Sequence, residues 1–169
     1  TPENGFGATP LTKYRRHVLM LHPHTVIVYD ELEASEAVRW EWLLHSPTEF
    51  KMDATKKTLS TNNKTKGWMA VTQLFGGHVF TLSQTDRFVV PPAITGAEYP
   101  NQWHLTARVD GCSATRFLAI IQVGDEAVPI INRDGDTFNV GDWTIKAVLD
   151  ASKAPELAVS HRTEQAVFS

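Results

Sequence analysis

The sequence contains a single cysteine, Cys112, so no disulfide can form within the chain. It also contains no apolar run near the roughly 18 residues that a bilayer-crossing helix needs. Positive charge is not in excess, because the formal net charge is −3, whereas nucleic-acid-binding domains favour strongly basic surfaces. These absences exclude a disulfide scaffold and predict neither a nucleic-acid partner nor a membrane partner.

Sequence motifs for common catalytic and metal sites are also missing. There is no nucleophile elbow, no glycine-rich phosphate loop and no HExxH segment. His22 and His24 could share a zinc ion on a strand if a third ligand joined them, but Pro23 between them predicts a turn. Asp134-Gly135-Asp136 begins like a calcium loop, yet the further spaced oxygen ligands are absent. The sequence therefore predicts no metal and no cofactor.

What the sequence does contain is a series of strand patterns. Its 169 residues, 42% hydrophobic and 21% charged, predict one globular domain spanning residues 1–169. Thr25–Leu32 is rich in β-branched residues, and Ala37–His45 alternates between an apolar and a polar face. Glu33–Glu36 between them predicts a polar break. No segment has the periodicity of an amphipathic helix.

Turn signals separate the remaining patterns. Gly76-Gly77 predicts a tight hairpin, and Asp110-Gly111 predicts a turn between Trp103–Val109 and Ala114–Val123. Short strands with turns at these intervals are typical of an all-β protein. We therefore predict an antiparallel β-sandwich of about ten strands. The five tryptophans are expected to fill the core between its sheets.

Five polar or aromatic residues are candidates for contact with a glycan. Aromatic rings can pack on the C–H faces of sugars, while histidine and arginine can hydrogen-bond to hydroxyl or acidic groups. The alternative for each histidine is a structural role with protein partners, and for the arginine an ordinary solvent-facing position. The candidates are Arg16, His45, Tyr99, Trp103 and His104.

The order of several segments resembles the β-sandwich region of bacterial heparinase II/III-like polysaccharide lyases. In that family an arginine-led strand precedes a strand that ends in an Asp-x-Leu pattern, and a Trp-x-Leu-His-Ser strand follows. Here Tyr14–Leu32 and Trp40–Ser46 resemble these strands. Trp103–Ala107 and Arg116–Ile120 fit the same region. The resemblance covers roughly residues 14–123, and it implies a β-sandwich fold.

The resemblance also implies a function. Such lyases cleave polysaccharides that contain uronic acids by β-elimination, in which a base removes the C5 proton while the carboxylate is neutralised. The family's catalytic and metal-binding residues lie in an α-helical toroid and in an Asn-His-x-His-x-Asp segment. This sequence contains no such segment, so the resemblance assigns it no catalytic residue.

We therefore expect a fragment of a larger multidomain lyase, its C-terminal sandwich portion, which supports the catalytic layers or the glycan and is inactive alone. Its expected partners are the helical and catalytic layers of the parent protein and an acidic polysaccharide. The family implies a periplasmic or extracellular location. A stand-alone carbohydrate-binding module and a structural interaction sandwich of a secreted protein are the alternatives.

Overall fold

A computed structural model describes residues 9–53, 55, 57–63, 68–87, 102–124, 128–162 and 164–168. Within these ranges, every regular element is a β-strand. The strands are Leu11–Leu21 (β1), Thr25–Ser46 (β2), Lys51–Asp53 (β3), Thr58–Asn63 (β4), Trp68–Gly76 (β5), Thr81–Thr85 (β6), Trp103–Gly124 (β7), Ile131–Asp134 (β8), Thr137–Val140 (β9), Trp143–Ala147 (β10), Leu157–His161 (β11) and Glu164–Phe168 (β12). None of the described residues forms a helix that could cross a membrane.

The strands form two antiparallel sheets. The large sheet has the order β1-β2-β7-β5-β4-β3, and β6 also pairs with β7. The small sheet has the order β12-β11-β10-β9-β8. The predicted all-β, antiparallel sandwich is thereby confirmed.

Two long strands, β2 and β7, form the centre of the large sheet. They pair from Thr25 opposite Gln122 to Ser46 opposite Trp103. The predicted breaks at 33–36 and 110–111 are wrong, because both strands continue through them. The pairing register shifts between Glu33 and Trp40, which is how a β-bulge bends a strand without ending it. Gly111 lies opposite this region with a φ of 72°, a conformation that favours glycine.

The predicted hairpin at Gly76-Gly77 is also wrong. Strands β5 and β6 both pair antiparallel with β7, at residues 117–124 and 104–108, so they run in the same direction. Glycine is needed at position 77 for a different reason: a Cβ there would collide with the carbonyl oxygen of Leu149. Glycine permits this close approach of two backbones.

Two apolar cores lie on opposite faces of β7. The first packs the large sheet against the small one and includes Tyr29, Leu118, Ile120, Phe138 and Ile145. The second lies on the other face of the large sheet and is formed largely by side chains of that sheet's own strands. Its members include Trp40, Trp42, Leu59, Leu105 and Phe117. Burying side chains of this size stabilises the fold by roughly 1.5–3 kcal/mol each.

The expected core role of the tryptophans holds in part. Trp40 and Trp42 are buried, 8% and 4% exposed, on the apolar face that the sequence alternation predicts. Trp103 and Trp143 are only partly buried and pack at the edges of the second and first cores. The side chain of Trp68 lies outside the described residues.

Candidate functional site

Arg16, a predicted glycan contact, lies on β1 directly opposite Asp30 on β2. Its Nε and Nη2 donate to the two carboxylate oxygens of Asp30 at 2.6 and 2.8 Å. These hydrogen bonds raise the pKa of Arg16. Asp30 is 1% exposed, and a buried carboxylate requires such a partner. The guanidinium is therefore already paired within the protein, and its contact with a glycan stays a prediction.

A second buried carboxylate, Glu31, follows on the opposite face of β2. Lys13 Nζ lies 2.7 Å from Oε2 of Glu31, and His17 Nε2 lies 3.4 Å from Oε1. Burial raises the pKa of Glu31, but the hydrogen bond and charge of Lys13, with the hydrogen bond from His17, outweigh it and hold that pKa below its ordinary value. Both carboxylates on this edge of the sheet are thus neutralised by side chains of β1.

His45 and His104 are directly opposite each other on β2 and β7. Their rings are stacked with centroids 4.4 Å apart. Trp103 is next to His104 in the chain, and adjacent strand residues point to opposite faces. Trp103 accordingly packs against the second core. The structure brings the two histidines together and places Trp103 on the other face, while Tyr99 lies outside the described residues.

The sequence analysis missed Arg116, which is 4% exposed on the face of β7 toward the small sheet. Its guanidinium donates to the carbonyl oxygens of Val148, Asp150 and Lys153 at 3.1, 2.8 and 2.7 Å. Tyr29 also donates to the Val148 oxygen, at 2.7 Å. Burial raises the pKa of Tyr29 to about 12, although the charge of Arg116 opposes this. This group of bonds fixes the segment after β10 to the large sheet.

A pocket of about 380 Å³ opens at the other end of the same sheet-to-sheet interface, within the size range of ligand sites. It is formed where β2 begins, where β7 ends, and at the turn between β9 and β10. The side chains that give it chemical character are Gln122, Trp143, His161, His22, His24 and Asp142.

Trp143 forms one wall of this pocket. Its indole Nε1 donates to the carbonyl oxygen of His22 at 3.2 Å, and its ring lies 4.8 Å from the ring of His161, centroid to centroid. The hydrogen bond fixes the orientation of the indole ring. The predicted turn at His22-Pro23-His24 is confirmed, and it supplies the adjacent rim.

Gln122 lies at the inner side of the pocket, 2% exposed and paired across the sheet with Thr25. Its side-chain Nε2 has no hydrogen-bond partner among the described residues. The indole nitrogen of Trp42 is likewise buried without a partner among the described residues, but Trp42 is not among the described residues that line this pocket. Less than 1 Å² of the Gln122 amide nitrogen is accessible, so this donor is enclosed by the protein although the residue lines the pocket.

Neither Gln122 nor Trp143 was a candidate from sequence. A glutamine within the apolar run 117–123 is the one signal that could have indicated the pocket. Within the described part of the chain, no group of three or more His, Cys, Asp or Glu residues is placed to hold a metal ion.

The architecture defines a class: an all-β protein in which a large antiparallel sheet packs on a smaller one. Among solved structures, the chain is similar to a heparinase III gene product with methylated lysines, with a TM-score of 0.60, 14% identity, and coverage of 95% of this chain and 23% of that chain. A second heparinase III structure gives a TM-score of 0.56 and 13% identity, covering 92% and 23% of the two chains.

At these identities the likeness establishes the fold, which is the fold that the sequence resemblance implies. The chain spans 23% of the length of either heparinase III structure. No family model and no curated protein matches the sequence.

Proposed function

We propose that this chain is a β-sandwich portion of a heparinase II/III-like polysaccharide lyase that acts on uronic-acid-containing glycans by β-elimination. Its own role is to support the catalytic layers or the glycan, without supplying catalytic residues. The observation that carries the proposal is the structural likeness to heparinase III, which extends over 95% of this chain and only 23% of that one. A periplasmic or extracellular location is part of the proposal.

The pairing of the charged groups supports a non-catalytic role. β-Elimination requires a base near the C5 proton and a cation or hydrogen-bond donor for the sugar carboxylate. Arg16, a cation suited to a sugar carboxylate, is bonded at two points to Asp30, and Glu31 is neutralised by Lys13. Separating either pair would leave a buried carboxylate without its partner, which is costly.

An apolar strip on the outer face of β1 supports a role in packing against another layer. Val18 and Met20 are each 63% exposed, and Tyr14, 56% exposed, lies on the same face on the far side of Arg16. Their neighbours across the strand pair, Val28 and Val26, are also apolar. Adjacent exposed apolar side chains of this kind mark interaction surfaces more often than isolated ones do.

The test is an ultraviolet assay for unsaturated uronate product. The chain is incubated separately with heparin, heparan sulfate, hyaluronan, chondroitin sulfate and alginate, with an active lyase as the positive control for each substrate. We expect no product above the blank. Product from this chain would overturn the non-catalytic role, and the double variant His45→Ala, His104→Ala would then show whether the stacked histidines are required.

The same samples test the alternative of a free-standing carbohydrate-binding module. Retention of the chain on one of the immobilised polysaccharides, without product, would favour a binding module over a scaffold. No retention would leave the supporting role as the explanation of the fold.

A further inference from the structure

Strand β1 lies at an edge of the large sheet. Among the described residues it pairs with β2 alone, so the main-chain donors and acceptors on its other side bond to no described strand. It has 11 residues, whereas β3 at the opposite edge has three, and the edge strands β8 and β12 of the small sheet have four and five. A long free edge of this kind can pair with a strand of another chain.

Only half of this edge carries the protection that proteins normally give to an edge strand. Charged side chains, prolines and bulges are the usual devices. The charged residues Lys13, Arg15 and Arg16 and the register shift near Leu11 all lie in the first half of β1. The second half, Val18–Leu21, contains no charged residue and no proline, and its pairing with β2 is regular. The second half is therefore the part of the edge that favours pairing.

The side chains of this second half are apolar on both faces of the strand. Val18 and Met20 are each 63% exposed on the outer face. Leu19 lies on the other face, where it packs against the first core and is only partly buried. A strand added beside β1 would remove part of this apolar surface from water, which is the main favourable contribution to protein association. The partner strand should itself be apolar on both faces.

The same segment of a second copy meets these requirements. When two β1 strands pair antiparallel about a two-fold axis between Val18 and Met20, the apolar segment of one copy lies opposite that of the other. The cationic first halves then lie at opposite ends of the pair. The bond from Arg16 to Asp30 joins β1 to β2, away from the new contact, and is retained. Two-fold contacts between identical surfaces are the commonest way in which identical chains associate.

We infer that two copies of this chain associate by antiparallel pairing of their β1 strands, which joins the two large sheets into one continuous sheet. The inference rests on the edge of β1 and does not depend on the proposed relation to lyases. The pairing occupies the edge of the strand and leaves its outer face open, so a further layer can still pack on the apolar strip.

The first measurement is sedimentation velocity of the whole chain. Interfaces below about 1,200 Å² are often weak, so the concentration series runs from about 5 to about 500 µM. We expect the mass to rise with concentration from that of one chain to that of two, and to stop there because the pairing uses the free β1 edge of both copies. The mass of one chain throughout the series, or growth beyond two chains, would overturn the inference.

Amide hydrogen exchange followed by NMR distinguishes strand pairing from contact between sheet faces. The amides of an antiparallel strand point alternately to its two sides. Within Val18–Leu21, we expect the amides that point away from β2 to exchange about tenfold more slowly at concentrations where the dimer is populated. A dimer in which these amides exchange as fast as in the monomer would associate through another surface, and the inference would be wrong.

Two lysine variants test the segment. Val18→Lys and Met20→Lys each place a charge near its own copy across the two-fold axis, and each should raise the dissociation constant about tenfold or more. Both side chains are largely exposed in the single chain, so both variants should fold, and their amide spectra show whether they do. The matched control is Leu43→Lys, 53% exposed on β2 beyond the stretch that pairs with β1. Equal weakening in all three variants would contradict a contact at β1.

Tyr14→Lys tests the orientation of the pair. Tyr14 is 56% exposed on the same face as Val18, but antiparallel pairing places it far from Tyr14 of the other copy, whereas parallel pairing would place the two side by side. We therefore expect Tyr14→Lys to leave the dissociation constant unchanged. An effect as large as that of Val18→Lys would overturn the antiparallel arrangement. Product in the lyase assay would refute only the proposed function, and a monomeric chain would refute only the pairing.

Discussion

Two buried polar side chains on the core-facing side of β7 differ in their hydrogen bonds. Arg116 and Gln122 are six residues apart on the same face of one strand, and they are 4% and 2% exposed. Arg116 donates to three backbone carbonyl oxygens, whereas the amide nitrogen of Gln122 has no partner within the described residues. Leu118 and Ile120 between them belong to the first core.

The difference separates a buried polar group whose hydrogen bonds hold two parts of the fold together from one whose amide nitrogen is buried without a bond among the described residues. A buried polar group that makes its hydrogen bonds inside the protein stabilises the structure, while a buried donor left without a bond destabilises it. Since both residues are buried on one strand, their hydrogen bonds distinguish them, not their burial. Substituting both by the same residue tests this distinction.

The largest expected effect is at Arg116. Arg116→Met retains much of the buried side chain but removes three hydrogen bonds to carbonyl oxygens, and we expect the free energy of unfolding to fall by about 3 kcal/mol or more. Urea denaturation followed by tryptophan fluorescence measures it. A loss below about 1 kcal/mol would mean that water replaces these bonds easily, and the comparison with Gln122 would then fail.

A smaller effect is expected at Tyr29, which shares the Val148 oxygen with Arg116. Tyr29→Phe should lower the free energy of unfolding by about 1 kcal/mol, the value of one hydrogen bond. Because the folded-state pKa is raised to about 12, Tyr29 contributes stability that is complete below about pH 10, the ordinary pKa of tyrosine. That contribution is lost as the pH rises from there through 12.

The pH dependence has its own measurement. Ultraviolet absorbance of tyrosinate, recorded against pH, should show one of the three tyrosines ionising later than the others, and that late step should be absent from Tyr29→Phe. Ionisation of all three near the ordinary value, with the chain still folded, would contradict burial as the cause of the raised pKa.

At Gln122 we expect a change in the free energy of unfolding of the opposite sign. Gln122→Met removes a buried donor that has no partner among the described residues, so the free energy of unfolding should rise, by up to about 1 kcal/mol. The same urea experiment used for Arg116→Met measures it. A loss of more than about 1 kcal/mol would mean that the amide is bonded in solution, and the distinction between the two residues would disappear.

The smallest effect is expected at an exposed arginine. Arg39 donates to Asp110 at 2.9 Å, and the two side chains are 59% and 62% exposed. Arg39→Met should change the free energy of unfolding by no more than about 0.5 kcal/mol, since exposed ion pairs contribute little. This variant is the control for Arg116→Met: equal losses in both would show that removing any arginine destabilises the chain, whatever its bonds.

The sequence by itself determined the class of fold and the faces of its strands. Alternation in residues 38–44 correctly placed Trp40 and Trp42 inside and Arg39 and Glu41 outside, because side chains on a strand alternate strictly between its two faces. The order of the strand motifs indicated the lyase-like fold that the structural likeness bears out. The alternation of apolar and polar residues is a local property of each strand, so it can be recognised without knowing which other strands pack against it.

The tertiary structure alone decided where strands end and which polar groups meet. Residues 33–36 and 110–111 have the composition of turns, but the pairing of β2 with β7 continues the strands through both. At Gly76-Gly77 the strand does end, yet β5 and β6 each pair with β7 and not with each other. Gln122 and Trp143 are 21 positions apart in the sequence and line the same pocket only because the two sheets pack together. Local sequence does not record such pairings, because their energy comes from partners distant in the chain.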